Sequence, residues 1–203
     1  MAQIQDHLRD LSEIRNLMEQ HSKFLSLSGL SGVSAGLVAL LGAGVAWWQL
    51  GNPWIFSPAA AQGDQLKVLL YIAAAVLLLA VGLAVLFSLR LARKRGLPTW
   101  NRTAKRLLTS LALPLVVGGT FCAVQLLHGA VIWVPACMLL FYGLALLNAS
   151  KHTIQEIRLL GYCELALGLA CAAWYEGALL FWAAGFGVLH VGYGIFMYLK
   201  YER

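Results

Sequence analysis

Six apolar runs dominate the sequence, each close to the roughly 20 helical residues needed to cross about 30 Å of hydrocarbon. They lie at about 26–50, 68–90, 107–128, 131–149, 159–176 and 178–199. Such a chain cannot hide this much apolar surface in a water-soluble core. Charged residues are 12% of its 203 residues, against about 25% in a soluble domain, and 60% are hydrophobic. A soluble enzyme is therefore excluded. The expected fold is all-α: a polytopic integral membrane protein with six transmembrane helices in three hairpins (25–203), preceded by a cytoplasmic amphipathic helix (1–24).

Charge between the runs sets the expected orientation. With the N-terminus inside, the inner side receives Arg9, Arg15, Lys23, Arg90, Arg93, Lys94, Arg95, Arg102, Lys105, Arg106, Lys151, Arg158, Lys200 and Arg203, and only Lys67 lies outside. This is the positive-inside bias of a protein with both termini in the cytoplasm. Short outer turns at Gly129-Ala130 and Trp174-Tyr-Glu-Gly177 predict tight antiparallel pairs for helices three and four and for helices five and six. In residues 1–24, Ile4, Leu8, Leu11, Ile14, Leu17 and Met18 recur at helical spacing among charges. With no apolar h-region before Phe24, this stretch reads as an amphipathic helix rather than a cleavable signal. It would lie in the interface, pack on the protein, or dock a protein partner.

The outer loop GNPWIFSPAAAQGDQ contains Pro53 and Pro58, which stop regular helix, and Trp54, Ile55 and Phe56, which suit an interfacial anchor or a lid. The inner stretch 90–106 concentrates seven basic residues, which suit anionic headgroups of membrane lipids. No nucleic-acid partner is expected. Gly29, Gly32, Gly36, Ala39, Ala43 and Ala46 in helix one, and Gly185, Gly187, Gly192 and Gly194 in helix six, form small-residue faces. These faces permit close packing within the chain or in a homo-oligomer.

Ionisable groups inside the runs are the functional candidates. Glu164 lies six residues past Arg158, about 9 Å into helix five, and His190 ten residues before Lys200, about 15 Å into helix six. Either side chain costs several kcal/mol if it faces lipid, so both should face the bundle interior or a hydrated cavity. Tyr193, one turn from His190, and Tyr162, beside Glu164, complete a polar cluster for ligand binding or proton coupling. Such a cluster can take and release a proton that His190 shares near neutral pH. A structural hydrogen bond between helices, or metal ligation by Glu164 and His190 with Cys163, are the alternatives. No HExxH or CxxC spacing supports a metal, and no cofactor is expected.

A second group, His128, Gln125 and Glu176, falls at the outer hairpin tips, where it would gate an opening, bind a cation or simply face solvent. Cys122, Cys137, Cys163 and Cys171 all lie inside the runs. Cys122 and Cys137 reach similar depth, so a disulfide is geometrically conceivable, although buried thiols commonly act as small hydrophobes. GGTFCA (118–123) matches LGLACA (167–172), and Tyr142-Gly143 matches Tyr193-Gly194, which hints at a parallel repeat of the last two hairpins. No nucleophile elbow, phosphate loop or carbonyl-filter motif is present.

The segment EIRNLMEQHSKFLSLSGLSGVSAG (13–36), an amphipathic stretch running through a Ser/Gly junction into helix one, resembles the opening of uncharacterised six-helix bacterial membrane proteins. The resemblance implies a bacterial inner-membrane setting and no assigned activity. The expected function is a small membrane transporter or permeation protein with a polar, proton-coupled core in helices five and six. Alternatives are a non-catalytic sensor or assembly protein acting through the N-terminal helix, and an intramembrane enzyme or metal-binding protein.

Overall fold

The computed structural model describes residues 28–51, 63–96, 100 and 102–203. The amphipathic helix expected over 1–24 and the Trp54-Ile55-Phe56 anchor lie outside the described residues. Six helical rods follow one another, with no strand among the described residues: α1 (Gly29–Gln49), α2 (Gly63–Lys94), α3 (Arg102–Leu127), α4 (Val134–Ala149), α5 (Glu156–Ala173) and α6 (Tyr175–Tyr201). Short 3-10 turns at Val131–Trp133 and Ser150–His152 extend α4 at both ends. Five rods, all except α5, are long and apolar enough to cross a membrane. In α5, Glu156, Arg158 and Glu164 fall within 18 residues.

Helix boundaries follow local chemistry. At the α3–α4 turn Gly129 adopts φ 72°, a left-handed conformation that suits glycine, and Pro135 sits in the first turn of α4, where its missing N–H costs nothing. The expected basic loop is shorter than the sequence suggests, because α2 runs on through Arg90, Arg93 and Lys94. Arg and Lys are good helix formers and their charge suits a helix C-terminus.

Pro114 lies inside α3 and cannot donate to the carbonyl four residues back. That carbonyl belongs to Ser110, and the side-chain amide of Asn148 on α4 donates to it at 2.8 Å. The helix thus keeps its proline because a neighbour satisfies the freed acceptor.

Neighbour relations run α2, α1, α6, then α5 and α4, then α3. The expected three hairpins need one correction. Helices α1 and α2, and α3 and α4, pack along their lengths, but α5 packs chiefly on α4, and the last half of α6 leans on α1. Glycine explains this exchange of partners. A Cβ at Gly32 would lie 3.0 Å from Gly194 Cα, one at Gly36 would lie 2.7 Å from the Gly187 carbonyl, and Gly29 and Gly194 are closed off in the same way by facing backbone. The Gly/Ala face of α1 is therefore an interface within the chain. Gly143 and Gly161 bring α4 and α5 equally close.

The repeat suggested by the sequence is not expressed in the packing. Gly119, the counterpart of Gly168 in that match, has open space beside it, whereas Gly168 meets Leu140 of the preceding hairpin.

At one end of the bundle the chain terminus ties the helix ends together. The Glu202 carboxylate accepts from the Gly29 backbone N–H and the Ser28 hydroxyl at the start of α1. Arg95, just past α2, donates to the Tyr201 carbonyl, and Lys200 and Tyr201 both donate to Glu156 at the start of α5.

Candidate functional site

The site forms where α6 leaves α5 for α1. Over Ala178–Trp182 the last helix lies against α4 and α5, the following Ala183–Leu189 already packs mainly on α1 while still touching α5, and beyond it only longer side chains, among them Tyr193 and Met197, reach back to Leu146, Ile154, Ile157 and Leu160. The middle of α6, Ala183–Leu189, is a π segment, a wider turn that in other helices is frequent at functional positions.

Glu164 points from α5 into this fork and is fully buried, with 0% exposure. It lies against the backbone of the π segment: a Cβ at Gly185 would stand 2.6 Å from Glu164 Oε2. His190, also buried, begins the α-helical part that follows. Its Nδ1 lies 2.9 Å from the Gly185 carbonyl oxygen and 3.5 Å from Glu164 Oε1. Its Nε2 lies 2.7 Å from the Tyr142 hydroxyl of α4.

A carbonyl can only accept, so the neutral ring carries its hydrogen on Nδ1 and Nε2 accepts from Tyr142. Phe186 stacks on the imidazole, with ring centroids 6.1 Å apart, and also packs on Tyr142 at 5.1 Å. The imidazole is thereby held on one face and at both nitrogens. Neither oxygen of Glu164 has a hydrogen bond among the described residues, nor has the buried Tyr193 hydroxyl.

The structure thus brings Glu164 and His190 together and revises their company. Tyr162 is 56% exposed and faces away from Glu164, because residues two apart on an α-helix point about 200° apart. Tyr193 packs in the apolar layer of Leu146 and Met197 and makes no hydrogen bond to His190 or Glu164. The residue that sequence reasoning missed is Tyr142. Its Tyr-Gly pair is visible in the sequence, but a tyrosine in an apolar helix carries no mark of what lies across from it.

Metal ligation by Glu164, His190 and Cys163 finds no support, since among the described residues no group of three such side chains could hold an ion. All four cysteines are free, so Cys122 and Cys137 form no disulfide.

At the other end, the hairpin tips do meet, but through Trp133 and Tyr175, whose rings lie 6.1 Å apart. His128 is exposed in the turn. Gln125 contributes its carbonyl, which accepts from the Ala130 amide and closes the α3 terminus.

The chemistry available is that of a buried carboxyl without a donor beside a neutral, oriented imidazole. Comparison with known proteins adds no identity to this geometry: no protein-family model, no curated protein and no solved structure matches the chain.

Proposed function

We propose that the protein is a small membrane transporter or permeation protein in which Glu164 takes up and releases a coupling proton. The observation that carries this reading is the fully buried carboxyl with no hydrogen bond to either oxygen among the described residues. A buried polar group without a partner costs about 1–3 kcal/mol, and a purely structural position has no reason to retain it. An apolar side chain would serve packing better. A proton is the ligand that fits, because the carboxyl is fully buried and a single added carbon at Gly185 would already stand 2.6 Å from its Oε2, which leaves a bulkier cation little room on that side.

The setting proposed is a bacterial inner membrane with six spans and cytoplasmic ends. Its support is the exposed apolar surface of α2 and α3, which suits lipid, and the gathering of Arg93, Lys94, Arg95, Lys200 and Arg203 at the end where the chain terminus ties the helices. Membrane lipids with anionic headgroups are the partners proposed for that basic end.

The test is proton flux in proteoliposomes carrying an entrapped pH dye, driven by an imposed potential. Wild-type protein should carry protons above the rate of empty vesicles, and Glu164→Gln should abolish the excess while the helical signal and detergent melting are kept. A wild-type rate equal to that of empty vesicles, or an unchanged rate in Glu164→Gln, would overturn the proposal.

A further inference from the structure

One imidazole hydrogen faces two acceptors. His190 Nδ1 is 2.9 Å from the Gly185 carbonyl oxygen and 3.5 Å from Glu164 Oε1, so its single N–H bonds the first and lies just short of the second. The Gly185 carbonyl can only accept, so it fixes the hydrogen of the neutral ring on Nδ1; Nε2 then accepts from the Tyr142 hydroxyl, and Nδ1–H is the only ring hydrogen His190 can offer. Glu164 has no other donor among the described residues. As a neutral acid it tolerates this, but as a carboxylate it would make a much stronger, charge-assisted acceptor than a peptide carbonyl. The Gly185 carbonyl is part of the π segment, whose wide turn is the less common helical state.

We propose that His190 is a two-position hydrogen-bond switch: its Nδ1–H rests on the Gly185 carbonyl while Glu164 carries a proton and turns to Glu164 when that proton leaves. The swap frees a carbonyl of the π segment and so couples the carboxyl's proton to the backbone of α6. His190 neither gains nor loses a proton, and the proton released by Glu164 passes to water. The inference rests on the reading of Glu164 as a proton-exchanging group and adds how the exchange is felt by the fold.

The other groups around the ring leave this assignment intact. From α4 the titratable side chain in contact with the ring is Tyr142, which is already engaged, and from α6 Tyr193 packs away among Leu146 and Met197. From α5, Cys171 lies in the apolar layer of Leu139 and Ala178. Helix α1, packed on the far side, contains no titratable side chain.

The test uses full-length protein, labelled with 15N and 13C, in nanodiscs. The Glu164 carboxyl is followed by infrared difference spectroscopy as pH is stepped, its band identified by its loss in Glu164→Gln. The His190 ring nitrogens and the amides of residues 185–191 are followed by NMR. The expected result is that the Nδ1 shift moves in step with the carboxyl band. Amide exchange around Gly185 should quicken about tenfold, as loss of the ring's hydrogen bond to the Gly185 carbonyl allows. Both changes should be absent in Glu164→Gln and retained in Tyr142→Phe, which leaves the carboxyl in place.

A carboxyl that titrates while the ring and the amides stay still would overturn the switch and leave the proton site standing. Ring movement in step with the carboxyl, but with no proton flux in vesicles, would support the switch and sink the transport reading. A carboxyl band that never titrates while the protein remains folded would overturn both.

Discussion

Glu164 is legible in the sequence because a carboxylate stands out within an apolar run, and His190 stands out for the same reason. Depth along each helix puts the two about one turn apart, and the structure places them 3.5 Å apart. What the spacing cannot supply is azimuth between helices, which is why Tyr142 is missed and Tyr193 overvalued. Tyr162 is a plainer error, since the helical period alone turns it away from Glu164.

The orphan carboxyl leads to a prediction at this scale. Glu164→Met keeps the length of the side chain and removes the unsatisfied oxygens, so it should raise unfolding stability in detergent by about 1 kcal/mol or more while eliminating proton flux. A loss of stability would mean that the carboxylic acid has a structural partner. Gly185→Ala should do the reverse. The added methyl would sit 2.6 Å from Glu164 Oε2, and such crowding in a packed interior costs about 1–3 kcal/mol. Denaturation of the double variant with Glu164→Ala should recover part of that loss, because the oxygen that is struck has gone.

Among the elements, the six helices are legible as apolar runs of near-helical length, although only five of them are long and apolar enough to cross a membrane. Their ends and partners are not. Long α2 continues through its basic residues, and the choice of α1 rather than α5 as the neighbour of late α6 depends on which glycines face each other. The sequence shows small-residue faces on both helices, but whether a face serves its own chain or a second copy depends on three-dimensional register. The π segment leaves no trace in hydropathy.

Pro114 and Asn148 allow a direct measurement of how one helix supports another. Asn148→Leu should strand the Ser110 carbonyl and destabilise the protein by about 1–3 kcal/mol, whereas Pro114→Ala restores an N–H four residues on and makes Asn148 dispensable. In a double-mutant cycle the two changes should be strongly non-additive, with the double variant more stable than Asn148→Leu alone. Additive effects would show that the amide does not act on the proline's orphaned carbonyl.

At the scale of the whole molecule, the basic bias identifies which helix ends belong together, and the structure shows what fastens them: the last three residues before Arg203 engage α1, the end of α2 and the start of α5. This arrangement predicts an acid-sensitive clasp at that face. Burial works against the Glu156 charge, but hydrogen bonds from Lys200 and Tyr201 outweigh it and hold the carboxyl below the usual carboxylate range. A carboxyl whose folded value is lowered contributes stability that is fully present above its unfolded value, near 4.5, and is lost as pH falls through the lowered folded value. The contribution is therefore intact at neutral pH and disappears only on the acid side. Because Lys200 is half exposed, solvent and salt screen the pair and the effect should be modest. In detergent, the melting temperature of Glu156→Gln should lie below wild type at neutral pH, and the two curves should converge as pH falls through the lowered folded value. Raising the salt concentration should narrow the neutral-pH gap, because the clasp is partly exposed. A gap that persists unchanged into acid would show that Glu156 holds the end of α5 by packing rather than by charge, and the fastening of the bundle would then rest on Glu202 and Arg95.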